Sequence, residues 1–158
     1  MSILPELTPL LAAVRDEIGD NWDVEASMGI ERARSLAFGR LIDQIHRLDR
    51  DALGWSTVFV ARRGLDCWDD AVRDRRPRRV VDGLAKHLVD GRPVDWPAAC
   101  EPIASPLGDC RWGPTQAAAD AVAACARYLS ARDPIDAMVC VSSVDLAFDA
   151  WEAGDGFR

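Results

Sequence analysis

Apolar residues recur at helical spacing through most of the chain. Between residues 27 and 48 they fall at Ile30, Ala33, Ala37, Leu41 and Leu48, with Gln44 in the same register; Phe38, Ile42 and Ile45 widen the face. Steps of three and four residues put such positions on one side of an α-helix. The same period predicts a helix over residues 52–72, with Trp55, Val58, Phe59, Leu65, Trp68 and Val72 turned inward. Gly54, Gly64 and the β-branched Thr57, Val58 and Val60 weaken it and leave a few residues of strand open, but the stripe persists to Trp68 and favours helix. A helix over 77–90 should bury Val80, Val81, Leu84, Leu88 and Val89, and one over 114–130 should bury Ala118, Val122, Cys125 and Leu129. From residue 134, Ala137, Val141, Val144, Phe148 and Trp151 keep the period, while Val139 and Leu146 add apolar surface elsewhere; this predicts a central last helix. Leu10, Leu11, Val14 and Ile18 form a shorter stripe near the start.

Local chemistry sets the boundaries. Thr8-Pro9 and Asp133-Pro134 pair a capping side chain with a proline at the first helical position. Gly19-Asp20-Asn21 and Asp49-Arg50-Asp51 interrupt the pattern, Pro77 can open a helix, and Gly91 can close one. Residues 92–113 hold Pro93, Pro97, Pro102, Pro106, Gly108 and Gly113, and read as a long connection with room for one short helix over 97–104. The tail from Gly154 should fray. The expected fold is all-α: one domain over residues 1–158, six or seven helices, arranged as antiparallel αα-hairpins.

Composition narrows the function. The chain has 158 residues, 49% hydrophobic and 28% charged, with a net charge of −7. That is a globular composition, large enough for a core without metal or disulfide support. The acidic balance, with a pI near 4.8, argues against general nucleic-acid binding and suits a basic protein partner. Neither a secretory leader nor an apolar run of membrane-spanning length is visible, which predicts a cytoplasmic protein with no membrane partner. Cys67, Cys100, Cys110, Cys125 and Cys140 are odd in number and widely spaced. They read as free, mostly buried thiols, and neither a metal nor a cofactor is expected.

Three groups of residues could carry function. Arg73, Arg75, Arg76, Arg78 and Arg79 form a basic cluster at the 74–79 junction. They could grip carboxylates or phosphates, or be a solvated junction balanced by Asp66, Asp69, Asp70 and Asp74. Asp145, Asp149 and Glu152 are spaced to share the polar face of the last helix, where they would meet a basic partner or simply solvent. Of six tryptophans, Trp55, Trp68 and Trp151 fall on apolar stripes and are expected in the core; Trp22, Trp96 and Trp112 fall in connections. Trp96 and Trp112 flank the long connection, as interface anchors or as pins onto the core. No nucleophile elbow, P-loop or dinucleotide fingerprint appears, so the chain is not expected to be an enzyme.

The segment from about Ala61 to Pro93 resembles the all-helical immunity proteins of bacterial polymorphic toxin systems, specifically the family numbered five among them. The residues that carry the resemblance are Cys67 and Trp68, then Asp74-Arg75-Arg76-Pro77-Arg78, Gly91, and an alanine-rich helix from Ala117 to Ala126. The histidines of that family's last helices are replaced here by Ser142, Ser143 and Asp145, so no role of theirs carries over. The resemblance implies an all-α fold and a protein that blocks a cognate toxin's active site. Asp145, Asp149, Glu152, Trp96, Trp112, Arg75, Arg76 and Arg78 are the candidate contact residues. A helical adaptor for another protein, or a small-molecule-binding bundle, fits the same residues.

Overall fold

The computed structural model describes residues 5, 8–9, 11–12, 39–72, 74–107 and 113–154. Residues 9, 11 and 12 of the expected helix over 9–18 are helical; the rest of that helix, the first part of that over 27–48, Trp22, Cys110, Trp112 and the tail beyond residue 154 lie outside the described residues. Among the described residues the structure is all-α, with no strand. Contacts divide the chain into two compact units, Met1–Leu53 and Gly54–Arg158.

In the first unit residues 39–48 are helical, and Leu41, Ile42 and Leu53 are buried. Asp49 ends that helix and caps the next. Its Oδ1 accepts hydrogen bonds from the backbone N–H groups of Asp51 at 2.9 Å and Ala52 at 3.0 Å, two donors that the first helical turn leaves unpaired.

The helix so started is α1, Arg50–Ala71. It is followed by α2 (Arg76–Asp90), α3 (Trp96–Leu107), α4 (Pro114–Ala131) and α5 (Pro134–Gly154). Helix α2 begins beside Pro77 and ends on Gly91, which adopts the left-handed φ of 63°. The N–H groups of Gly91 and Arg92 turn back to the carbonyls of Leu88 and His87, closing the helix with a Schellman motif. Asp133 caps α5 by accepting the Ile135 N–H at 3.0 Å, as the Asp133-Pro134 pair predicts.

Helix α3 is longer than the sequence suggests. Pro97 sits in the first turn, where no N–H is needed, and Asp95 accepts the Ala98 N–H there. Pro102 and Pro106 are accommodated inside the helix, although each removes one backbone donor. Most of the expected 92–113 connection is therefore ordered helix.

The second unit is built around α4, not α5. Ala118, Ala119, Ala121, Val122, Ala124, Cys125, Ala126, Tyr128 and Leu129 are all buried, and α4 packs against α2, α3 and, most extensively, α5. Helix α5 turns Ala137, Cys140, Ser143, Val144 and Ala147 inward and leaves Ile135 and Leu146 over 60% exposed. The inward stripe is thus rotated from the predicted one: Val141, Phe148 and Trp151 are only half-buried.

Helix α1 shows a similar rotation. Thr57, Val58, Ala61, Leu65, Cys67 and Trp68 are buried, whereas Trp55 and Phe59, expected inside, are exposed. On α2, Val80, Val81 and Leu84 are buried as predicted, but Val89 is 71% exposed.

Two small residues set how closely these helices approach. A Cβ on Gly64 would stand 2.9 Å from Val144 Cγ2, and one on Gly54 would crowd Leu88 and Leu129. Trp68 locks the turn after α1, donating from Nε1 to the Asp74 carbonyl at 2.9 Å while its ring is fully buried. The α1–α5 contact has a direct test. Gly64→Ala gains about 1 kcal/mol of helix propensity but must displace a branched, inflexible valine, an overpacking cost of about 1–3 kcal/mol. Urea unfolding should show Gly64→Ala less stable than the parent. In a Val144→Ala background the same substitution should become neutral or stabilising.

Candidate functional site

The junction between α1 and α2 folds around Asp74. Its Oδ1 accepts the Arg76 backbone N–H at 2.9 Å, so the carboxylate orders the first turn of α2. Its Oδ2 takes the Arg76 guanidinium, with Nε at 2.8 Å and an Nη at 2.6 Å. The Arg76 side chain, then its backbone N–H, hold the Asp74 carboxyl below its usual range, with the charge of Arg79 assisting. Arg78 reaches back to α1 and pairs with Asp69 and, at 3.1 Å, with Asp66. Arg62 pairs with Asp82 across α1 and α2. Of the cluster, Arg76 and Arg78 are therefore matched within the fold, and Arg73 lies outside the described residues.

Two of the arginines remain. Arg75, the N-cap of α2, and Arg79, one turn on, are exposed and make no ion pair within 4 Å among the described residues. Both line a recess of about 660 Å³ with Val72, Arg78, Asp69, Asp74 and Asp82. The structure thus brings Arg75, Arg76 and Arg78 together, but in a mixed-charge setting and not as a bare cationic patch.

Arg79 also lines a second, mostly apolar groove of about 530 Å³ between α2 and α3, with Arg76, Val80, Gly83, Leu84, His87, Ala98, Ala99 and Pro102. His87 Nδ1 is buried and has no hydrogen-bond partner. Neither Gly83 nor His87 stood out in the sequence. The available signal was a glycine in the middle of a well-formed amphipathic helix.

The acidic candidates lie on α5. Asp145, Asp149 and Glu152 are all exposed, and so are Ile135, Val139, Ser142 and Leu146. Positions 135, 139, 142, 146 and 149 step by four and three, so a single outward stripe mixes apolar side chains with carboxylates. Trp96 is on a different element. It is the first residue of α3 rather than a loop residue, 39% exposed, with the Arg127 guanidinium 5.9 Å from its ring centroid. Arg127 also pairs with Asp136 at 2.9 Å, which ties α3, α4 and α5 together at this corner.

The described thiols are in the interior. Cys67, Cys100, Cys125 and Cys140 are buried thiols, none of them in a disulfide. Burial pushes the Cys125 thiol up to about 12, against a small opposing pull from the Thr57 hydroxyl, and raises Cys140 well above its ordinary value. Cys100 is raised for the same reason, with Arg127 opposing. Such thiols stay protonated at neutral pH and make poor nucleophiles. Among the described residues no group of three or more His, Cys, Asp or Glu side chains is placed to hold a metal ion, and no helix is long and apolar enough to cross a membrane.

No family model, curated protein or solved structure matches the chain.

The Asp74 carboxylate gives a pH signature. A depressed folded-state value means that its stabilisation is complete above the unfolded aspartate value of about 3.9 and fades as pH falls through the folded value. Asp74→Asn keeps an oxygen for the Arg76 N–H but loses the charge. The variant should have a lower urea midpoint than the parent at pH 7, and the gap should shrink below about pH 4. An equal gap at pH 7 and pH 3 would show that the charge contributes nothing.

Proposed function

We propose that the chain is a cytoplasmic protein-binding module that neutralises a cognate protein toxin, and that α5 is its contact face. The observation that carries the reading is the outward stripe of α5. A helix that is apolar on most sides is ordinarily buried all round, yet Ile135 and Leu146 are 64% and 62% exposed. Leu146 is flanked by Asp145 and Asp149, with Val139 and Ile135 further along the same stripe, so an apolar strip meets an acidic end, an arrangement that suits an interface for a basic partner. The chain's net charge of −7 would speed encounter with such a partner. The toxin-neutralising role, as distinct from protein binding in general, is supported by the resemblance of the segment from about Ala61 to Pro93 to immunity proteins.

The test is recovery of the tagged chain from its native host, with identification of what co-purifies. The expected partner is a single basic protein, toxic when expressed alone and harmless when this chain is co-expressed. A partner that is never toxic would replace neutralisation with an adaptor role. With the partner in hand, Leu146→Arg should weaken binding at least tenfold. Asp145→Lys with Asp149→Lys should lower the association rate and its salt dependence, with folding intact by circular dichroism. Unchanged affinity in both variants would remove α5 from the interface.

A further inference from the structure

The groove between α2 and α3 has two features that the packing of the fold does not call for. Its floor contains Gly83, in the interior of α2, where a Cβ would meet nothing within 4 Å. Interior glycine costs a helix about 1 kcal/mol relative to alanine, and here no close contact requires it. Its effect is to leave the groove one side chain deeper. Arg79 stands at one end with no ion pair within 4 Å among the described residues, while the fork of its neighbour Arg76 is already occupied by Asp74. At the other end His87 lines the groove. Between these ends the walls are Val80, Leu84, Ala98, Ala99 and Pro102.

We propose that this groove binds a linear amphipathic monocarboxylate, its carboxylate on Arg79 and its hydrocarbon chain running past Gly83 towards His87. The volume of about 530 Å³ suits a small ligand. Arg79 and His87 are eight residues apart on one helix, a rise of about 12 Å, which accommodates a chain of about eight carbons with its head group. A single uncommitted guanidinium matches one carboxylate, with two parallel N–H···O bonds. A peptide strand fits less well, because its backbone N–H and C=O groups would find no partners along the aliphatic walls. The proposal is independent of the role of α5.

Titration calorimetry of the full chain with sodium octanoate and with octan-1-ol tests it. Octanoate should bind at one site at least tenfold more tightly than the alcohol. Arg79→Gln should abolish that preference while leaving the alcohol's affinity unchanged. Gly83→Leu should fill the groove and eliminate binding of both, with a melting temperature no lower than the parent's. Should that variant fail to fold, Ala98→Leu, at an exposed position on the opposite wall, blocks the same space. Absence of octanoate binding, a carboxylate preference that survives in Arg79→Gln, or undiminished binding in the groove-filling variant would each overturn the proposal.

Discussion

The second unit depends on the smallness of α4. A helix can bury most of its apolar residues only if its neighbours come near enough to exclude water, and interhelical distance is set by the side chains at the contact. Alanines 118, 119, 121, 124 and 126 permit that approach, while Val122, Tyr128 and Leu129 fill the space between helices. Gly54 and Gly64 do the same for α1, which would otherwise stand away from Leu129 and Val144. Large side chains at these points would push α1, α3 and α5 outward, and Trp68 would lose both its burial and its hold on the Asp74 carbonyl. A single steric requirement thus reaches from the core to the arginine junction.

What was legible in the sequence was mainly local. Asp49, Pro77, Gly91 and Asp133 mark helix ends because capping involves only a few neighbouring residues, and the structure places helix boundaries at each. The inward faces were less legible. On α1 the sequence predicts one inward stripe through Trp55, Val58, Phe59, Leu65, Trp68 and Val72; Val58, Leu65 and Trp68 are buried, but Thr57 and Ala61 are buried in place of Trp55 and Phe59. Size favoured the aromatics, yet the close-packed neighbours required the smaller residues. On α5 the small Cys140, Ser143 and Ala147 likewise take the inward face ahead of Val141, Phe148 and Trp151. Small residues carry a weak hydrophobic signal even when tight packing depends on them.

The candidate sites divide in the same way. Asp145, Asp149 and Glu152 could be placed on one face from spacing alone, because a helix fixes where residues three and four apart must lie. Arg78 could not be apportioned, since its partners Asp66 and Asp69 belong to the preceding helix and the pairing depends on how that helix is set against α2. The groove was invisible because its second wall is α3, whose prolines suggested a connection and whose position is a matter of tertiary packing.

The four buried thiols have a consequence for how the protein ages. Their sulfurs are shielded, and those of Cys100, Cys125 and Cys140 are held in the protonated form, so oxidants meet little reactive thiolate at these positions. Damage must wait for an opening of the core, and its rate is then governed by how often the helices part. Each opening that ends in an oxidised sulfur returns a polar group to a space shaped for a small apolar one, which makes the next opening easier. Chemical lifetime and conformational stability are in this way one property: whatever holds α4 in place also keeps its sulfur reduced.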